Sequence, residues 1–158
     1  MQIYEMFPLN LPLYPIKIVE RDGKRSVLDE MRRKYVALTP EEWVRQQFIH
    51  YLINEKKYPK TLLANEVSIV LNGMKRRCDT ILYTNQLKPK MIIEYKSPTV
   101  DITQKVFSQI CNYNWVLKAD YLVVSNGLKH FCCRIDYANK KYNFLPSIPD
   151  YLDLGANL

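Results

Sequence analysis

The chain has 158 residues, of which 47% are apolar and 25% are charged, and its net charge is +7 at neutral pH. This length suits one globular domain, and the apolar content excludes an intrinsically disordered chain. The positive charge favours a polyanionic partner such as nucleic acid, although surface lysines that only serve solubility would give the same excess.

The cysteines and the N-terminal region bear on cellular location. The four cysteines form no C-x-x-C pair, and the two histidines do not bracket them at zinc-ligand spacing. They therefore predict reduced, buried thiols and argue against a structural zinc. No basic start followed by an apolar stretch resembles a signal peptide, and we expect a cytoplasmic protein without a membrane partner.

Composition along the chain predicts three parts. Residues 1–25 are proline-rich and are expected to form an extended arm, with a turn at Asp22 and Gly23. Residues 26–144 carry the periodic segments of a domain, and residues 145–158 form a C-terminal tail. A basic cluster at the start of the domain would either contact phosphates or form a solvated face.

A helix is predicted to begin after Thr39. Threonine is a good N-cap, Pro40 fits the first helical position, and Glu42 completes a capping box. Val44, Phe48 and Leu52 follow at helical spacing. We expect this apolar side to pack on a sheet.

Three strands are predicted next, over residues 65–71, 74–84 and 89–97. Asn72-Gly73 is typical of a two-residue hairpin turn, and residues 85–88 form a four-residue loop. If neither hairpin contains a bulge, these turns place Glu66 opposite Asp79 and Asp79 opposite Glu94. Three acids would then line up across three neighbouring strands.

Glu94 and Lys96 share one face of their strand because side chains alternate. Like charges placed directly opposite one another destabilise a sheet, so a positive group is expected among the acids. Clustered carboxylates suit Mg²⁺ or Mn²⁺. The alternative is an exposed sheet face with scattered charges. Arg77 would either clamp a phosphate backbone or form an ion pair with one of the acids.

A second helix is predicted from Asp101 or Thr103 to Leu117, with an apolar stripe that includes Ile110 and Tyr113. Residues 119–125 and 128–135 then form a hairpin around Asn126-Gly127. The continuous apolar run at residues 121–124 indicates a buried central strand.

At these positions the sequence resembles the PD-(D/E)XK nucleases, and more closely the N-terminal nuclease domain of type I restriction enzyme R subunits. Asp79 matches the first acid of the motif, and Glu94, Tyr95 and Lys96 match the second acid, the variable position and the lysine. Cys78 stands where many members have proline. The similarity spans roughly residues 26 to 136. Further matching residues are Gln109 and Tyr113 of a Gln-x-x-x-Tyr signature, the segment 39–46, and Ser125-Asn-Gly127.

The resemblance implies an α/β, restriction-endonuclease-like fold with a central mixed sheet (αβββαβ core) flanked by helices. It implies a magnesium-dependent or manganese-dependent endonuclease that hydrolyses DNA. Asp79, Glu94 and the Tyr95 carbonyl would bind the metal, and Glu66 would bind a second ion or an ordered water. Lys96 would orient the attacking water.

Other roles follow from the same resemblance. Gln109 and Tyr113 would position phosphate or Lys96, and Glu42 would rank below Glu66 as an accessory acid. No G-x-x-x-x-G-K-[ST] loop is present, so the chain carries no recognisable motor. Other subunits or a second copy of the chain are possible partners. The alternative function is a nucleic-acid-binding or assembly module that keeps the nuclease fold without cutting.

Overall fold

A computed structural model describes residues 6–155, which form two sheets and two α-helices. The smaller sheet is antiparallel and contains β1 (Ile18–Arg21), β2 (Lys24–Asp29) and β3 (Lys34–Ala37). The predicted turn at Asp22 and Gly23 joins β1 to β2, with both residues at positive φ (51° and 73°). This sheet was not predicted from the sequence. The division into arm, domain and tail stays a prediction.

Helix α1 (Pro40–Asn54) begins where the sequence indicated. The Thr39 hydroxyl oxygen accepts a hydrogen bond from the Glu42 N–H at 3.0 Å. The reciprocal half of the predicted capping box is not formed, because the Thr39 N–H donates to the Ala37 carbonyl at 3.2 Å. The Glu42 carboxylate instead accepts hydrogen bonds from Arg32 and Gln46. The Glu42 side chain is therefore free of any capping role.

The larger sheet has six strands in the order β4-β5-β6-β7-β8-β9. Every neighbouring pair is antiparallel except β6 and β7, which are parallel and are connected through helix α2 (Gln104–Asn114). From α1 to β7 the elements follow the order αβββαβ. The strands are β4 (Leu63–Leu71), β5 (Met74–Tyr83), β6 (Pro89–Tyr95), β7 (Tyr121–Ser125), β8 (His130–Asp136) and β9 (Lys141–Leu145).

The two hairpins at the start of this sheet have the predicted register. In the first, Asn65 pairs with Thr80 and residue 67 pairs with residue 78, which places Glu66 opposite Asp79. In the second, Thr80 pairs with Ile93, and this is the last pair before Asp79 and Glu94. The assumption of a bulge-free hairpin was wrong, because the register shifts between residues 82 and 83. That irregularity lies beside the loop and leaves the pairs near Asp79 unchanged.

Helix α2 starts after Thr103, whose hydroxyl accepts from the Val106 N–H at 3.2 Å. The predicted apolar stripe was wrong at Tyr113 but not at Ile110, which packs against the core. Phe107, Cys111 and Asn114 are the buried side chains, whereas Tyr113 is 42% exposed. The predicted residues and the buried residues both have helical spacing. Because Asn114 is polar, the apolar pattern did not indicate that its side of the helix is buried.

Apolar side chains cover both faces of the six-stranded sheet. On one face, Phe48 and Leu52 of α1 pack against Ile93 and Val123. On the other, Phe107 of α2 belongs to a second cluster with residues 92, 122 and 133. All four cysteines are buried and free, as predicted. Within residues 6–155, no helix is long and apolar enough to cross a membrane.

Candidate active site

The predicted acidic site lies where β5 and β6 stop pairing. Beyond the Thr80–Ile93 pair, an Asp79 carboxylate oxygen accepts a hydrogen bond from the Tyr95 N–H at 2.9 Å. The Asp79 side chain is 18% exposed, so solvent still reaches it. This bond holds the first acid of the predicted motif against the backbone of the strand that carries the second.

Glu94 lies next to Asp79 and is largely withdrawn from water. Its Oε1 atom is buried and has no hydrogen-bond partner among the described residues. Burial first, and then the Asp79 charge and a hydrogen bond with Asp79, raise the pKa of Glu94 to about 9, against smaller opposing effects of Asn114 and Lys96. Without a bound cation, Glu94 therefore holds a proton at neutral pH.

The positive group expected among the acids is Arg45 of α1. Its guanidinium binds Glu66 and lies 3.8 Å from an Asp79 oxygen and 5.7 Å from the centroid of the Tyr95 ring. Burial alone would lower the pKa of Arg45, but the Glu42 charge and the Glu66 hydrogen bond raise it. The sequence analysis included Arg45 in a matching segment without assigning it a role.

Glu66 occupies an unusual backbone position inside β4, with φ at 55°. Left-handed backbone costs a non-glycine residue about 1–3 kcal/mol and persists where surrounding contacts enforce it. Arg45 binds one carboxylate oxygen of Glu66 and Arg77 binds the other. Burial alone would raise the pKa of Glu66, but the bonds to Arg45 and Arg77 lower it by more and hold it below its ordinary value. Both oxygens of Glu66 are thus already bound by arginines, and its role as a metal ligand stays a prediction. Of the two alternatives for Arg77, the ion pair is present.

The start of α1 presents two acids with different surroundings. Glu42, the predicted accessory acid, is 7% exposed and is held by Arg32, Arg45 and Gln46. Glu41 was not singled out, yet burial and then the Asp79 charge raise its pKa, while Lys96 and Arg45 work to lower it. Its electrostatic neighbours are thus the residues of the candidate site. The accessory role of Glu42 stays a prediction.

Lys96 belongs to the same group of charges. Its backbone N–H donates a hydrogen bond to the Ser125 carbonyl at 2.8 Å, which fixes the backbone just after β6. Its ammonium charge acts on both Glu94 and Glu41, working to lower the pKa of each. The structure therefore brings together Asp79, Glu94 and Lys96 as the sequence predicted.

The two residues of the Gln-x-x-x-Tyr signature are placed differently. The Tyr113 hydroxyl accepts a hydrogen bond from the backbone N–H of Arg77 at 3.3 Å. The Arg76 guanidinium lies 4.6 Å from the centre of the Tyr113 ring. Gln109 is exposed on α2. Asn114, which received no role from the sequence, is 2% exposed and works to lower the pKa of Glu94. The roles predicted for Gln109 and Tyr113 stay predictions.

The carboxylates of the site are candidate metal ligands. Among residues 6–155, no group of three or more His, Cys, Asp or Glu side chains is arranged to hold a metal ion. Asp79 and Glu94 nevertheless fit a hard cation, because they are adjacent oxygen donors and Glu94 Oε1 is buried without a partner. A cation there would offset the burial and the Asp79 charge that keep Glu94 protonated.

A cleft of about 550 Å³ opens next to Arg45, which contacts Asp79. Its lining includes Glu41, Arg45, Glu66 and Ser97. A second cavity of about 520 Å³ lies on the β4–β5 side and shares Arg32 and Glu66 with the first. The two cavities are therefore neighbours on either side of these two residues.

Together, the fold and the site define a mixed α/β domain with a carboxylate and lysine cluster at the end of its second β-hairpin. Residues 40–149 match the family model described as "Type I restriction enzyme R protein N terminus (HSDR_N)". The chain belongs to this family. No curated protein sequence matches it at a significant level.

One solved structure supports the same fold. It is a fragment assigned as an HsdR subunit of a type I restriction enzyme from Vibrio vulnificus YJ016, with a TM-score of 0.52 and 18% sequence identity. The match covers 74% of this chain and 24% of that one. The chain therefore spans about a quarter of the length of that structure.

Proposed function

We propose that this chain is a metal-dependent DNA endonuclease domain of the PD-(D/E)XK type, with a restriction-endonuclease-like core, that acts within a type I restriction system. The observation that carries the proposal is the adjacency of Asp79, the buried Glu94 with its unpartnered Oε1 atom, and the charge of Lys96, next to an open cleft. The family membership and the αβββαβ order support it. Other subunits of such a system are the expected protein partners.

Asp79, Glu94 and the Tyr95 carbonyl would hold Mg²⁺ or Mn²⁺. The metal, when bound, would supply Lewis-acid stabilisation of charge on the scissile phosphate. The Lys96 ammonium orients the attacking water and offsets developing negative charge. Arg45 positions the acids, since it contacts Glu66 and lies close to Asp79. Glu94 must release its proton before it can act as an anionic ligand.

The test is cleavage of plasmid and single-stranded DNA in magnesium and in manganese. Asp79→Asn and Lys96→Ala are each expected to lower the rate by about 100-fold or more, the usual effect of removing one electrostatic or acid–base group. Asparagine keeps an oxygen that can accept the Tyr95 N–H. Lys141→Ala, at an exposed position on β9, is the matched control and should cut like the wild type.

The outcomes separate the two candidate functions. Metal-dependent cutting that both site variants lose, with their folding verified by circular dichroism, establishes the nuclease. If the wild type binds DNA but never cuts it, the non-cleaving binding module replaces the proposal. Cutting that survives in both site variants would place the active site elsewhere.

A further inference from the structure

A basic groove lies next to the acidic cleft, on the outer part of the β4–β5 hairpin. It is the 520 Å³ cavity that shares Arg32 and Glu66 with the cleft. We call this cavity the hairpin groove. Its lining residues are Arg32, Lys34, Asn65, Glu66, Ser68, Lys75 and Arg77.

Strand geometry places two cations of the hairpin groove, Lys75 and Arg77, in line with Asp79. Lys75, Arg77 and Asp79 alternate along β5 and so face the same side of the sheet. Residues two apart along a strand are separated by roughly 6.6–6.8 Å. On β4, Ser68 pairs with Arg77 and adds a hydroxyl to this side. These two cations thus lie along the strand that leads to the first acid of the candidate site, at a spacing that suits successive phosphates of one strand.

The charges in the groove are available to an anionic ligand. Lys34 and Lys75 are exposed, and neither forms an ion pair with a carboxylate of residues 6–155. The Arg77 side chain is 69% exposed but is anchored by Glu66, so its guanidinium is held at the groove. Glu66 is the one acid in the lining, and Arg45 and Arg77 both bind it.

We propose that the hairpin groove binds the sugar-phosphate backbone of duplex DNA and leads the strand to be cut from the β4–β5 hairpin toward Asp79 and Lys96. Lys34 and Lys75 contact phosphates directly, and Arg77 marks the junction between groove and cleft. The inference rests on the proposed nuclease function and adds the face of the domain that holds the substrate. Because these residues contact phosphates and not base edges, they give affinity for DNA without sequence preference.

The experiment measures duplex DNA binding in EDTA over a series of salt concentrations, for the wild type and for Lys34→Gln/Lys75→Gln. The slope of log K against log[salt] is negative, and each lost phosphate contact makes it shallower by about 0.9 for duplex DNA. The slope for the double variant is therefore expected to be shallower by the amount that two phosphate contacts contribute. The variant should also bind every sequence more weakly. Lys105→Gln/Lys141→Gln removes the same charge from exposed positions outside the groove and is the control.

A wild-type slope in the groove variant, or an equal loss in the control, overturns the inference. So does a wild type that binds no DNA. Because the assay contains no metal, its result is independent of cleavage. A reduced slope in a protein that never cuts supports the groove and removes the nuclease proposal, whereas cutting with an unchanged slope keeps the nuclease and removes the groove.

Discussion

Replacing Arg45 by methionine is expected to lower the free energy of unfolding by about 3–5 kcal/mol, the usual cost of removing one partner from a buried ion pair. Arg45 is 3% exposed and binds Glu42 and Glu66. It also lies 3.8 Å from Asp79. Methionine fills similar space but leaves these acids without their shared cation. The measurement is urea unfolding at neutral pH without metal.

Two comparisons make this prediction specific. Arg21→Met, at an exposed position on β1, removes the same charge and should change stability by less than about 0.5 kcal/mol. Adding Glu66→Gln to Arg45→Met should recover part of the loss, because one of the acids that shared the Arg45 charge has been removed. A methionine variant as stable as the Arg21 control would show that Arg45 does not hold the acids together.

The hairpins were the most predictable part of the fold because their signals are local. Asn72-Gly73 takes the positive φ values that a two-residue turn requires (50° and 76°). Once this turn is fixed, the period-two geometry of strands decides which residues face one another. The alignment of Glu66, Asp79 and Glu94 therefore followed from the position of two turns.

Residues whose environment comes from distant segments could not be predicted in this way. Asp29 is buried in β2 because Arg32 and Asn65 bind it, so a polar residue interrupts the apolar alternation that would have indicated the small sheet. Arg45 had the spacing of an ordinary helical residue, and only the packing of α1 against the acids gives it a role. Glu41 and Glu42 are neighbours in sequence, and only tertiary structure separates their surroundings.

The pKa of Glu94 makes the stability of the metal-free protein depend on pH. Because its pKa is about 9 in the folded chain and about 4.3 in an unfolded one, the folded state holds a proton between these values that the unfolded state has released. The free energy of unfolding should therefore fall as pH rises, by at most about 1.4 kcal/mol per pH unit from this one group. The contribution is complete below pH of about 4.3 and is lost as pH passes through about 9.

Glu94→Gln tests this assignment, since glutamine cannot titrate. In urea unfolding from pH 5 to 9, the variant should lose most of the downward slope. Glu20→Gln, an exposed acid paired with Arg25, should keep it. Identical slopes in wild type and Glu94→Gln would place the titrating group elsewhere.

Magnesium should restore wild-type stability most at high pH, because a carboxylate ligand binds as the anion and proton release then costs little. Glu94→Gln should gain less from magnesium at every pH, which ties the buried acid to the metal as well as to the proton.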